Sequence, residues 1–314
     1  MSRDVFVREV GLRDGLQLVK SFVPTETKLA WIAAEATAGI PEIEATSFVP
    51  PKVIPQFADA AAVAAGIAGI EGPLMCALAP NRKGAELALA AGIRKINFVI
   101  SVSETHNQAN VRRSTDQSFA EFAEIAALRR ERPEFADVVL QGGLATAFGC
   151  TLEGQVPQSR VLAFLERFLD AGADEVALPD TVGYASPREV RTLFTDAAKV
   201  MGGRPLYSHF HDTRGLGLAN AVAALEAGVR YFDASLGGLG GCPFAPGATG
   251  NIVMEDLVFL LEKEGLRTGV DLAGLAAART IAEAALPSEK FYGGVPRAGL
   301  PKGYAPAGAR LAAE

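Results

Sequence analysis

Pro157-Gln-Ser-Arg-Val-Leu-Ala-Phe-Leu-Glu-Arg-Phe-Leu-Asp-Ala-Gly-Ala-Asp-Glu-Val-Ala-Leu178 contains one unit of a repeating design. Its first half places apolar residues at helical spacing, and Ala171-Gly172-Ala173 closes it, because glycine tolerates the left-handed conformation in which helices end. Glu175 to Leu178 then reads as a short strand. Working outward, the same punctuation recurs as Ala38-Gly39-Ile40, Ala91-Gly92-Ile93 and Ala227-Gly228-Val229, each between a helix-like run and an apolar strand. Start signals stand at the other ends, with Pro24-Thr25, Ser186-Pro187 and Asn251 preceding helical runs.

Extended along the chain, this reading gives eight candidate strands: Val5 to Val10, Glu42 to Phe48, Leu74 to Ala77, Lys95 to Ile100, Val138 to Leu140, Glu175 to Leu178, Leu206 to Phe210 and Tyr231 to Ser235. Helical runs lie between them, among them Thr25 to Thr37, Lys83 to Ala91, Gln117 to Arg130, Pro187 to Val200 and Leu216 to Ala227. Eight alternating units in about 265 residues predict an α/β fold, a (β/α)8 TIM barrel, which typically needs roughly 250. A doubly wound open sheet would show G-x-G-x-x-G after the first strand, and Gly11-Leu12-Arg13-Asp14-Gly15 lacks that spacing. The catalytic domain is predicted over 1–286, followed by a Gly/Pro-rich, short helical or irregular extension over 287–314.

A chain of 314 residues that is 49% hydrophobic and 21% charged fills a core rather than staying disordered. Its net charge of −6, without a basic stripe, argues against nucleic-acid binding. No apolar run reaches the roughly 18 to 20 residues that span a bilayer, and the N-terminus lacks a secretory pattern, so a cytoplasmic location is expected. Cys76, Cys150 and Cys242 are too far apart in sequence for a C-x-x-C clip, so a functional cysteine would act singly.

Barrel enzymes carry their chemistry at the C-terminal ends of strands. His209 and His211 stand at i and i+2 on one face of the seventh strand, so both rings can meet one ion. Asp14 follows the first strand, which adjoins the eighth in a closed barrel, although Asp-Gly alone also reads as a turn. Arg13 beside it either pairs structurally or faces an anionic substrate group or developing oxyanion. Glu42, Glu44 and Thr46 alternate onto one face of the second strand and should point inward. Asp180 and Thr181 end the sixth strand, as site residues or loop caps. The glycine-rich stretch Gly237 to Asn251 reads as a mobile functional loop whose Cys242 could close over the ion.

Taken together, Val10-Gly-Leu-Arg-Asp-Gly-Leu-Gln17, Glu44-Ala-Thr-Ser-Phe-Val49, His209-Phe-His-Asp-Thr213 and Gly237 to Asn251 with Glu255-Asp256 resemble the 3-hydroxy-3-methylglutaryl-CoA lyase family, from about Val5 to Leu286. The resemblance implies a Mg2+ or Mn2+ ion held by Asp14, His209, His211 and Asn251, His209 counting also among the catalytic residues. It implies metal-dependent retro-Claisen cleavage to acetyl-CoA and a ketone, acetoacetate for the parent substrate, with Arg13 stabilising the enolate oxygen. Cys242 is implied as an acid/base group, Glu44, Asp180 and Glu255 as acidic supports of the site, and Lys20 as a contact for the CoA phosphates. The expected partner is an acyl-CoA substrate, and a homo-oligomer is expected.

The chain departs from the family pattern at Leu18-Val19, where Asn-Glu is common, at Leu178-Pro179-Asp180, where Leu-Gly-Asp is usual, and at Arg112-Arg113. A related 3-hydroxy-3-carboxymethyl-acyl-CoA is therefore an alternative substrate. Other readings are an acetyl-CoA-dependent Claisen-type synthase and a pyruvate-releasing aldolase. The synthases generally carry a further C-terminal region, whereas about 28 residues follow Leu286 here.

Overall fold

The computed structural model describes residues 3–241 and 250–310. Its parallel strands close into a barrel in sequence order: β1 (Phe6–Glu9), β2 (Glu42–Ser47), β3 (Leu74–Leu78), β4 (Lys95–Ser101), β5 (Val139–Ala145), β6 (Glu175–Asp180), β7 (Leu206–Phe210) and β8 (Tyr231–Ala234), with β8 paired back onto β1. The crossovers are α1 (Thr25–Thr37), α2 (Ala60–Gly66), α3 (Arg82–Ala90), the pair α4 (Glu104–Val111) and α5 (Thr115–Glu131), α6 (Gln158–Ala171), α7 (Pro187–Met201) and α8 (Gly217–Glu226). After β8 come α9 (Met254–Lys263) and α10 (Leu272–Ala285), then two short helices, α11 (Gly294–Ala298) and α12 (Ala307–Arg310). The architecture is the expected TIM barrel.

Local chemistry explains the boundaries. Ser114 and Ser186 form capping boxes with Gln117 and Glu189 at the starts of α5 and α7, satisfying backbone N–H groups that a helix start leaves unpaired. The four punctuating glycines all adopt positive φ, from 86° at Gly39 to 103° at Gly172. Apolar faces of helices and strands merge into one core that includes Trp31, Phe122, Phe168, Phe194 and Phe232, all fully buried.

Three local readings need correction. β5 runs to Ala145, well past Leu140, because Gly142-Gly143 hides a strand: a Cβ at 142 would lie 2.6 Å from the Phe168 ring of α6. Asn251 does not begin a helix; α9 starts at Met254, and Asn251 forms a backbone bridge with His211. On β2 a bulge between Glu44 and Thr46 interrupts the alternation, so the inward face read from the sequence holds for Glu42 and Glu44 and does not extend by simple period to Thr46.

Candidate active site

A cavity of about 380 Å³ opens at the C-terminal end of the barrel. Polar residues, among them Arg13, Asp14, Glu44, His209 and His211, and apolar ones, among them Leu18, Ile54, Val99 and Pro179, line it together. That mixture suits a small ligand needing a few oriented polar contacts.

Immediately after β1 the chain makes a single π-helical turn, Gly11–Gly15, with the N–H groups of Arg13, Asp14 and Gly15 all directed to Val10 O. The turn brings Arg13 and Asp14 over the strand end. Asp14 meets His211 at 3.6 Å, and Nε2 of His209 lies 3.1 Å from Nε2 of His211. Ligand atoms of Asp14, His209 and His211 all fall within 4.8 Å of one another, and all three residues are buried. Asn251 joins them, donating from Nδ2 to Asp14 at 2.8 Å and to Leu239 O at 2.9 Å. Gly240 passes so close that a Cβ there would sit 2.5 Å from Asn251 Nδ2 and 3.2 Å from Asp14, and its φ of 120° independently disfavours a side chain.

Charge and protonation suit a divalent cation. Burial pushes the His211 imidazole down to about 4, with Asp14 opposing and His209 and Arg13 reinforcing, so the ring is neutral near pH 7 with a lone pair to offer. Burial alone would raise Asp14, but Arg13 and the two histidines hold it below the ordinary carboxylate value. Three cations, Arg8, Arg13 and Lys95, are bonded into one network with five carboxylates, Asp14, Glu42, Glu44, Glu175 and Asp233. Nitrogen and carboxylate donors in this mixture fit a borderline or hard divalent ion with positions left for substrate.

Arg13 is locked beside this cluster, Nε to Glu44 at 2.6 Å and Nη1 to Asp14 at 2.8 Å. Burial opposes its charge, and the Glu44 and Asp14 carboxylates raise it above its ordinary value, so it stays a cation. Glu44 also accepts from Asn97 at 2.7 Å.

The other expected site residues lie farther out. Asp180 accepts from the N–H groups of Tyr184 and Ala185 at 2.8 and 3.0 Å and holds the loop after β6; its neighbour Thr181 lines the cavity. Burial raises the Asp180 carboxyl, with these N–H groups opposing. Glu255, at the start of α9, accepts from Gly237 N at 3.0 Å and from Arg279 at 2.9 Å, fastening the root of the glycine stretch, and burial raises its carboxyl. Lys20 is exposed, two residues beyond the cavity-lining Leu18. Cys242 lies outside the described residues.

Several cavity residues were not singled out from the sequence: Arg8, Asn97, Gln141, Asp233 and the third histidine, His106, whose Nδ1 sits 2.7 Å from Ser101 Oγ. The signal was present for two of the strand residues. Asn97 and Asp233 each stand between apolar neighbours, the same pattern that exposed Glu42 and Glu44, whereas Arg8 is followed by Glu9 and carries no such mark.

The HMGL-like family model matches residues 5–281. The chain belongs to that family. A hydroxymethylglutaryl-CoA lyase of Bacillus subtilis is 41% identical over 276 residues, covering 88% of this chain and 91% of that one. An (R)-citramalyl-CoA lyase of Chloroflexus aurantiacus is 40% identical, covering 87% of this chain and 88% of its own. Among solved structures, an HMG-CoA lyase from Acinetobacter baumannii in complex with coenzyme A and 3-methylmalate superposes with a TM-score of 0.90 at 40% identity, over 98% of this chain and 99% of that one. Membership in the HMGL-like family makes this chain a carbon–carbon lyase.

Proposed function

We propose that the chain cleaves 3-hydroxy-3-methylglutaryl-CoA to acetyl-CoA and acetoacetate. The observation that carries the reading is the meeting of three buried side chains able to ligate an ion, Asp14, His209 and His211, with the fixed guanidinium of Arg13 in one cavity. The proposed ligand set for Mg2+ or Mn2+ is Asp14, His209, His211 and Asn251. When bound, the ion supplies Lewis-acid polarisation of the substrate's hydroxyl and an adjacent oxygen.

The chain's own residues then have defined work. Loss of the tertiary hydroxyl proton lets its oxygen form the ketone as the C2–C3 bond breaks, and the bonding pair passes to the thioester as an enolate. Arg13 is proposed to face that enolate oxygen, with Glu44 and Asp14 already holding its fork so that little reorganisation is needed. A proton delivered to C2 completes acetyl-CoA, and Cys242 is the proposed acid/base group, with Glu44 supporting proton transfer. Asp180 and Glu255 are proposed to act through the loops they hold. Lys20 is proposed to meet CoA phosphates. A cytoplasmic homo-oligomer is the proposed setting; no helix among the described residues is long and apolar enough to cross a membrane.

A second substrate reading is favoured by the (R)-citramalyl-CoA lyase, which is about as similar as the hydroxymethylglutaryl-CoA lyases. The same bond cleavage on citramalyl-CoA yields pyruvate instead of acetoacetate. Competition between the two acyl-CoAs, with the ketone products separated and counted, tests the choice. Predominant acetoacetate supports the first reading, predominant pyruvate replaces it with the second, and no acetyl-CoA from either rejects both.

A further inference from the structure

Below the proposed ion site a row of side chains crosses from β1 through β8 to β7. Backbone pairing sets it up, because Asp233 is in register with Arg8 on one side and with His209 on the other. Arg8 grips the Asp233 carboxylate with both arms of its fork, Nε at 2.8 Å and Nη2 at 2.7 Å, and Asp233 meets His209 Nδ1 at 3.0 Å. Arg8 is itself fixed by Gln141 at 2.7 Å, by Glu42 at 3.2 Å and by the Tyr207 ring 4.6 Å away. His211 is different: its Nδ1 has no hydrogen-bond partner among the described residues.

We infer that Arg8 and Asp233 are positioning residues that fix the tautomer and ring plane of His209 and thereby set the affinity of the barrel mouth for a divalent cation. This rests on the proposed ion site. An ionised carboxylate accepting the Nδ1 proton leaves the Nε2 lone pair directed at the site and makes the ring a better donor. A buried carboxylate lacking its own counter-charge would be costly to keep ionised, and the planar two-armed guanidinium supplies that charge while fixing the carboxylate's orientation. Neither residue needs to touch substrate for this role.

The test is Mn2+ titration of metal-stripped protein followed by electron paramagnetic resonance, with no substrate present. Asp233→Asn, which keeps shape and loses the charge, is expected to weaken Mn2+ binding by about 10- to 100-fold. Arg8→Met is expected to weaken it in the same direction, and Arg8→Lys, which restores charge but not the fork, to recover part of the loss. Glu175→Gln is the control for general damage, since Glu175 lies in the same network, bonded to Lys95 and Gln141, but does not touch Asp233 or His209. It is expected to bind Mn2+ within about twofold of the native protein. Native affinity in Asp233→Asn, or an equal loss in Glu175→Gln, overturns the positioning role. Should Arg8→Met fail to fold, Asp233→Asn and Arg8→Lys decide the matter alone. A native protein that takes up no Mn2+ overturns the ion site, and this role with it.

Discussion

The two ends of the barrel interior hold similar residue types in opposite bonding arrangements. At the floor, hydrogen-bond donors meet their acceptors: the Lys95 ammonium contacts Glu42 at 2.7 Å, Glu175 at 2.5 Å and the Tyr207 hydroxyl at 3.0 Å, while Tyr207 donates to Glu42. At the mouth, the ligand atoms of two imidazoles and a carboxylate crowd one point. Burial makes both arrangements expensive, so each needs an explanation. The floor is explained by its internal pairing, which makes it a scaffold. The mouth cluster is the proposed seat of a divalent cation.

The largest expected consequence is at the mouth. Asp14→Asn should lower acetyl-CoA release at saturating Mn2+ by about a thousandfold or more, several kcal/mol of transition-state stabilisation, with little change in the urea unfolding midpoint. The floor should respond the other way. Lys95→Met leaves Glu42 and Glu175 without their shared cation and is expected to cost about 3–5 kcal/mol in urea unfolding, while turnover per folded molecule stays within about threefold. Equal losses of activity at the two ends would erase the distinction.

Arg13→Met should reduce kcat by about 10²- to 10³-fold with a smaller change in KM, as steady-state kinetics would show, because its fixed charge acts on the enolate. Asp180→Asn should reduce kcat by less than about tenfold, since the carboxylate grips loop N–H groups; a loss as large as that of Arg13→Met would place it in the chemistry instead. The smallest effect is in pH. His211 titrates near 4 when folded and near its ordinary value of 6.5 when unfolded, so the unfolded chain takes up the proton first as pH falls. Its contribution to the stability of the metal-free protein should therefore be present above about 6.5 and lost between 6.5 and 4. The Tm difference between native protein and His211→Gln should shrink across that window, and a constant difference would contradict the assignment.

Much of the fold was legible because four helix ends carry their own stop signal; Gly39, Gly92, Gly172 and Gly228 mark boundaries that depend on local backbone conformation. β5 was cut short because Gly142 and Gly143 owe their strand conformation to the Phe168 and Val99 side chains packed against them, a tertiary cause without a local signature. His209, His211, Asp14 and Arg13 were legible from their places at strand ends. Arg8 and Asp233 were not: Arg8 is followed by Glu9 and shows no alternation, the apolar neighbours of Asp233 declare an inward position without naming its partner, and their pairing depends on barrel closure between β1 and β8. For Asp180 and Glu255, sequence shows an acid at a strand end or helix start, while only the folded structure shows the carboxylate turned toward loop N–H groups.

The central claim, that the mouth works by holding a divalent cation, is tested most directly by stripping the purified protein with EDTA, removing the chelator, and following acetyl-CoA release from 3-hydroxy-3-methylglutaryl-CoA and citramalyl-CoA as Mg2+ or Mn2+ is returned. Activity is expected to vanish on stripping and to return saturably on titration with the native protein, but not with Asp14→Asn. Undiminished turnover by the stripped protein would contradict the claim.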